Sequence, residues 1–124
     1  MSRARRGASL AAITIALAVA GCTTRIPMPP DDATPRQVID VYLRAPAATD
    51  CETARALGSD HLCGIVTGAT VTEELPPVDE TMRYLATIVV SGGDGSLPDG
   101  PNLWTYELSR GSGGQWRIVN EGMG

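Results

Sequence analysis

The chain has no lysine and no phenylalanine among its 124 residues, and its only histidine is His61. Without lysine, chemistry that proceeds through a lysine Schiff base is excluded. All ten basic residues are arginines, and three of them lie in the first six positions; beyond these, seven arginines face fourteen acidic residues, a formal charge of −7. Nucleic acid is disfavoured as a partner, because affinity for it comes from clustered basic side chains that release counterions.

Long apolar runs are also missing. The most extended apolar run is from Ala8 to Ala20. A helix that spans a bilayer needs roughly 20 apolar residues, so this run is too short. The run follows Arg3, Arg5 and Arg6, and a basic start before a short apolar stretch is typical of an export signal that is cleaved. The sequence therefore predicts a signal peptide over residues 1–21.

The end of this signal reads Val19-Ala20-Gly21-Cys22, which resembles the lipobox of bacterial lipoproteins. The resemblance implies that Cys22 carries a diacylglyceryl thioether with acyl chains such as palmitate and becomes the new N-terminus. The alternative is an ordinary secretory signal with a chance cysteine. Three cysteines in an exported chain leave one unpaired, and lipidation would occupy it. We expect attachment to the lipid bilayer through acylated Cys22, on the extracytoplasmic face of the cell membrane.

Residues 22–33 are rich in proline, with Pro27, Pro29 and Pro30 close together. Such a composition favours an extended polyproline conformation of about 3.1 Å per residue. The sequence predicts a semi-rigid tether that reaches at most roughly 35 to 40 Å from the lipid. A single small domain over residues 34–124 would follow it.

Two helices are predicted at the start of that domain. Thr34 and Gln37 form a potential capping box, Pro35 suits the first helical position, and apolar residues at helical spacing follow until Pro46, which is expected to end the helix. Asp50 is a second potential N-cap, for a short helix from Cys51 to about Leu57.

Alternating apolar residues predict strands over 82–90, 103–110 and 115–120, with a weaker one over 65–74. The glycine-rich segment 111–114 is short enough for a hairpin turn between the last two. Helices followed by consecutive strands predict an α+β domain, with the N-terminal helices packed on a curved antiparallel sheet of three to four strands.

The closing segments Leu103-Trp-Thr-Tyr-Glu-Leu108 and Gly113-Gly-Gln-Trp-Arg-Ile-Val119, in this order of elements, resemble the small nuclear-transport-factor-2-like, or cystatin-like, lipoproteins of actinobacteria. The resemblance implies a conical pocket between helix and sheet. Enzymes of the wider superfamily, such as ketosteroid isomerase and scytalone dehydratase, place Asp, Tyr or His groups in it. Fold likeness alone does not transfer an activity.

Cys51 and Cys63 are predicted to form a disulfide, because they bracket the short helix of an exported protein. A zinc site that adds His61 is the alternative, but its spacing matches no common template. The acidic segment 73–80 is interpreted as a solvated loop rather than a cation-binding turn, and the glycine-rich segment 91–101 as a mobile hairpin loop rather than a calcium site. No cofactor, metal site or catalytic residue is predicted.

The residues expected to line a pocket are aromatic, and no carboxylate pair is found among the predicted inward positions. We therefore expect a non-catalytic module that binds an envelope protein or an apolar ligand. The alternative is a small pocket enzyme of the isomerase or dehydratase type, which requires an Asp, Glu or His inside a cavity. The candidate pocket-lining residues are Tyr42, Tyr84, Trp104, Tyr106 and Trp116.

Overall fold

A computed structural model describes residues 25–93 and 95–123. Two helices precede four strands, and the strands form one antiparallel sheet in the order β1-β2-β3-β4. This confirms the α+β class, and the sheet has four strands where the sequence predicts three to four. The elements are α1 (Pro35–Ala47), α2 (Cys51–Leu57), β1 (Val66–Val78), β2 (Thr81–Val90), β3 (Gly100–Arg110) and β4 (Trp116–Met123).

The first helix begins with the predicted capping box. The Thr34 side chain accepts a hydrogen bond from the Gln37 amide at 3.2 Å, and the Gln37 side chain accepts one from the Thr34 amide at 2.8 Å. The helix ends one residue beyond Pro46, not before it. A proline in the last turn removes one hydrogen bond only, and the Ala48 amide still closes the helix on the Arg44 carbonyl at 3.1 Å.

The strands are longer than predicted, and β1 differs most. It extends to Val78 and includes Pro76 and Pro77, which the sequence places in a loop. β1 is an edge strand, where a missing amide proton costs little, and its register shifts at this point. The connection to β2 is then a tight turn at Asp79 and Glu80, with Asp79 at a φ of 54°.

The core lies between α1 and the inner face of the sheet. Apart from Met82, the alternating apolar positions of β2 and β3 are buried, and Ile118 of β4 is 7% exposed. Met82 and Trp116 are half-buried at the ends of their strands and pack against this core. The buried strand residues include Tyr84, Ala86, Ile88, Val90, Trp104, Tyr106 and Leu108.

The predicted disulfide between Cys51 and Cys63 is present, with a Cα–Cα distance of 5.8 Å. It joins the first residue of α2 to the loop that leads into β1. Since both sulfurs are bonded to each other, neither is available as the thiolate ligand that the alternative zinc site requires.

The N-terminal segment 25–33 lies against the domain, whereas the sequence predicts a free tether over 22–33. The Ile26 amide donates to the Asp50 carboxylate at 2.7 Å, and Ile26 packs against the core. Arg25 pairs with Glu52 at 2.6 Å, and Ala33 is buried. Among the described residues, the segment 25–33 therefore belongs to the folded body.

The membrane predictions concern residues at the start of the chain. The signal over 1–21 and the lipidation at Cys22 lie outside the described residues. Within residues 25–93 and 95–123, no helix has the length and apolar character needed to cross a membrane.

Asp50 holds the N-terminal segment to α2 through its carboxylate. Besides the Ile26 amide, it accepts hydrogen bonds from the Thr53 amide at 3.1 Å and the Thr53 hydroxyl at 2.7 Å. These bonds favour the charged form and lower the pKa of Asp50 from its ordinary 3.8, with the Ile26 amide as the largest cause. Asp50 is 1% exposed, so water does not replace these donors.

This arrangement predicts an acid-dependent loss of stability. A carboxyl whose pKa is lowered by folding stabilises the fold above its unfolded pKa, and this contribution is lost as the pH falls through the folded pKa. We expect Asp50→Asn to lower the thermal midpoint at pH 7, and the difference from the unmodified protein to shrink below about pH 4. Asparagine still caps the helix. Melting curves followed by circular dichroism test this, and a difference that is constant with pH would contradict it.

Candidate functional site

Glu121 lies on the inner face of the sheet because β4 contains one extra residue. Leu108 of β3 pairs with Ile118, but Glu107 pairs with Asn120, so Val119 has no partner of its own. A bulge of this kind reverses the alternation of side chains beyond it. Strict alternation from Trp116 and Ile118 would direct Glu121 outward, whereas in the structure it pairs with the inward-facing Tyr106.

The Glu121 carboxylate is enclosed by aromatic side chains, and only 7% of its side chain is exposed. The Tyr42 hydroxyl donates to Oε2 at 2.6 Å, and the Trp104 indole Nε1–H donates to Oε1 at 3.3 Å. The ring of Tyr42 also meets that of Tyr106 edge to face, with centroids 5.9 Å apart. An acceptor-only carboxylate thus lies within a mostly apolar part of the domain.

His61 lies next to this carboxylate, in the middle of the α2–β1 loop. Its Nε2 is 3.9 Å from Glu121 Oε1, and its Nδ1 is 2.6 Å from the Ser59 hydroxyl oxygen. The His61 amide also donates to that oxygen at 3.1 Å. With 54% of its side chain exposed, His61 is the accessible member of the group formed by Ser59, His61 and Glu121.

An apolar cavity of about 490 Å³ opens on the other side of His61. It lies between the α2–β1 loop, the β2–β3 loop and the ends of β3 and β4. Its volume is within the range of about 300–1,000 Å³ that is usual for small-molecule sites. The lining consists of Leu62, Ile65, Leu97, Trp104 and Met123, with His61 and Ser96 as the polar members.

A second depression of about 270 Å³ shares His61 with this cavity. It is lined by Gly58, Ser59, Glu121 and the start of the bulge at Ile118 and Val119. His61 therefore borders both the apolar cavity and the polar depression that contains the carboxylate. Trp104 also contacts both spaces, because it lines the apolar cavity and donates a hydrogen bond to Glu121 in the polar depression.

The predicted pocket-lining residues fall into two groups. Trp104 lines the apolar cavity, and Trp116 lines a separate shallow depression with Glu80, Ser109 and Arg110. The three tyrosines pack inside the core instead, because Tyr42, Tyr84 and Tyr106 are 3%, 1% and 1% exposed. The conical space expected between helix and sheet is occupied by their rings, and the cavity is displaced toward the loops.

No protein-family model, curated protein or solved structure matches the chain. The interpretation of the site therefore depends on its own residues and geometry. The resemblances to the lipobox and to nuclear-transport-factor-2-like domains stay proposals that depend on the motifs given above.

Metal ligands do not converge in the described part of the chain, where no three His, Cys, Asp or Glu residues come within reach of one ion. The acidic segment 73–80 belongs largely to β1 and its turn rather than to a separate loop. In the segment 91–101, Leu97 is buried and closes one wall of the cavity, while the Asp99 carboxylate accepts from the Gly92 amide at 3.1 Å.

Burial of the three tyrosines predicts the behaviour of the protein in alkali. Desolvation is the main cause that raises the pKa of Tyr42, Tyr84 and Tyr106 above the ordinary value of 10.0, and Glu121 raises it further for Tyr42 and Tyr106. A group whose pKa is raised by folding stabilises the fold below its unfolded pKa, and this contribution is lost at higher pH.

We expect tyrosinate to form above pH 10 only as the protein unfolds. Ultraviolet absorbance and circular dichroism recorded on the same samples test this, because the two transitions should coincide. Tyrosinate absorbance that develops near pH 10, while the circular dichroism spectrum stays native, would contradict the burial of these hydroxyls.

Proposed function

We propose that this protein is a membrane-anchored extracytoplasmic lipoprotein whose cystatin-like domain binds an apolar ligand without transforming it. The cavity of about 490 Å³ beside Trp104 carries the proposal. A cavity with mostly apolar walls and few polar groups is the usual form of a site for a small apolar molecule.

Two features support a binding role for this cavity. Its walls come from four elements of the fold, and the disulfide fixes one of them, because Cys63 follows Leu62 directly. A wall held in this way loses little conformational entropy when a ligand enters. The apolar area that the ligand would cover includes Met123, which is 72% exposed.

Binding is measured at the two tryptophans, because only Trp104 lines this cavity. Trp116→Phe leaves Trp104 as the sole indole, and Trp104→Phe leaves Trp116 as the matched control. A bromoalkyl alcohol, whose bromine quenches indole emission on contact, should quench the Trp116→Phe protein saturably and leave the Trp104→Phe protein unchanged. Equal quenching of both variants, or quenching of neither, would disprove binding in the cavity.

The rival function is a small pocket enzyme of the isomerase or dehydratase type, and one observation favours it. His61 lines the cavity, and Glu121 Oε1 lies 3.9 Å from its Nε2, so an acid-base pair adjoins a space for a substrate. His61 Nε2 and Glu121 Oε1 are beyond hydrogen-bond distance, however, so no proton can pass directly between them in this geometry. Mass spectrometry of ligands recovered after long incubation separates the two functions, since an enzyme returns altered molecules and His61→Ala abolishes the change.

The anchor is tested independently of the cavity. Detergent phase partition of the native protein and of Cys22→Ala should place the first in the detergent phase and the second in the aqueous phase. Mass spectrometry of the mature N-terminus should find the acyl chains on Cys22. Recovery of the unmodified sequence in the aqueous phase would refute the membrane placement and leave the cavity proposal in place.

A further inference from the structure

We propose that the apolar cavity and the polar depression, joined at His61, form one site for an amphiphile whose head donates a hydrogen bond to Glu121. The ligand class is an alkyl chain that ends in an alcohol or an amine. This inference rests on the proposed binding function and adds the chemistry of the head group. Neither the sequence motifs nor the fold class assign it.

The Glu121 carboxylate has acceptor capacity that its protein partners do not fill. Its Oε2 takes the short bond from Tyr42 at 2.6 Å, but Oε1 has only the long contact from the Trp104 indole at 3.3 Å. His61 Nε2 stays 3.9 Å from Oε1, beyond hydrogen-bond distance. Because a carboxylate oxygen accepts two hydrogen bonds, and this one is removed from bulk water, an additional donor is favoured at Oε1.

Glu121 Oε1 lies close to both the apolar cavity and the polar depression. Oε1 is the oxygen that faces Trp104 and His61, and both of these residues line the apolar cavity. Glu121 itself lines the polar depression. A head group bound at Oε1 therefore lies where the two spaces meet, and an attached alkyl chain can extend along the indole of Trp104 toward Leu97.

The charge of the site selects among head groups. The Glu121 carboxylate, on a side chain that is 7% exposed, repels an anionic head. Among the described residues that line the polar depression, none is an arginine, and His61 is the single basic side chain. Alcohols and amines supply the donor without a negative charge. Fatty acids and phosphate esters of the same chain length are disfavoured for the same reason.

The test compares three bromoalkyl probes of one chain length that end in an alcohol, an amine or a carboxylate. Binding is measured by quenching of Trp104 in the Trp116→Phe protein. We expect the alcohol and the amine to bind at least about tenfold more tightly than the carboxylate, which corresponds to about 1.4 kcal/mol. Glu121→Gln in the same background should reduce this preference to about twofold, because an amide no longer repels the anion.

Glu107→Gln is the matched control, since it removes one carboxylate from the outer face of the same two strands. It should retain the full head-group preference. If the carboxylate probe binds the unmodified site as tightly as the alcohol does, the proposal is overturned, even if Glu121→Gln fails to fold. If none of the probes quenches Trp104, the binding function fails first, which distinguishes the two failures.

Discussion

Replacing both Cys51 and Cys63 with serine should lower the free energy of unfolding by about 3 kcal/mol. The bond closes a short loop, and its loss restores conformational freedom to the unfolded chain. The native state is also affected, because Cys51 follows Asp50, which holds Ile26, and Cys63 follows Leu62, which lines the cavity. Urea denaturation of the oxidised, reduced and substituted proteins measures the loss.

Hydrogen exchange of the reduced and substituted proteins should show which parts of the domain lose stability. Amide protection should fall most in α2 and at the Ile26 amide. In β2 and β3 it should fall only as much as the free energy of global unfolding does. Ala56→Ser is the matched control, because it introduces serine at an exposed position of the same helix and leaves the disulfide intact. If reduction leaves the urea midpoint unchanged, the disulfide does not stabilise this domain.

Tyr42→Phe should destabilise the fold by about 1.5–3 kcal/mol, the usual contribution of a hydrogen bond to a charged group. The substitution preserves the ring and removes the hydroxyl that donates to Glu121 Oε2 at 2.6 Å. That oxygen then lies in an enclosed region without its short partner. Chemical denaturation of the variant measures the effect.

Tyr106→Phe is the matched control for this substitution. Its ring packs against that of Tyr42, and no hydrogen bond joins its hydroxyl to another described residue. A double-mutant cycle between Tyr42→Phe and Glu121→Gln should give a coupling energy of at least about 0.5 kcal/mol. Additive effects would mean that the hydroxyl and the carboxylate do not stabilise one another.

Much of the fold follows from local sequence signals. The Thr34–Gln37 capping box, Asp50 as the N-cap of α2 and the alternating strand positions each depend on neighbours within a few residues, and each is confirmed. The disulfide was predictable from the cysteine count together with the predicted export signal, and it is present. These features can be predicted without knowing which residues far apart in the sequence are in contact.

The candidate site could not be predicted in the same way. Its decisive residue, Glu121, faces inward because of the unpaired Val119, and periodicity carries no information about a bulge. The pairing of Asn120 with Glu107, which share a hydrogen bond at 3.0 Å on the outer face, is a property of two strands. The same holds for the Asp50 carboxylate, whose bond to Ile26 spans 24 residues.

The two prolines at the end of β1 affect how the sheet meets other chains. An open sheet presents free amide and carbonyl groups along its edge strands, and these can recruit a foreign strand and nucleate aggregates. Pro76 and Pro77 have no amide hydrogens to offer, and the acidic pair Glu73 and Glu74 precedes them. Strand addition is therefore disfavoured at the Pro76–Pro77 end of β1, where an incoming strand would find no amide donors.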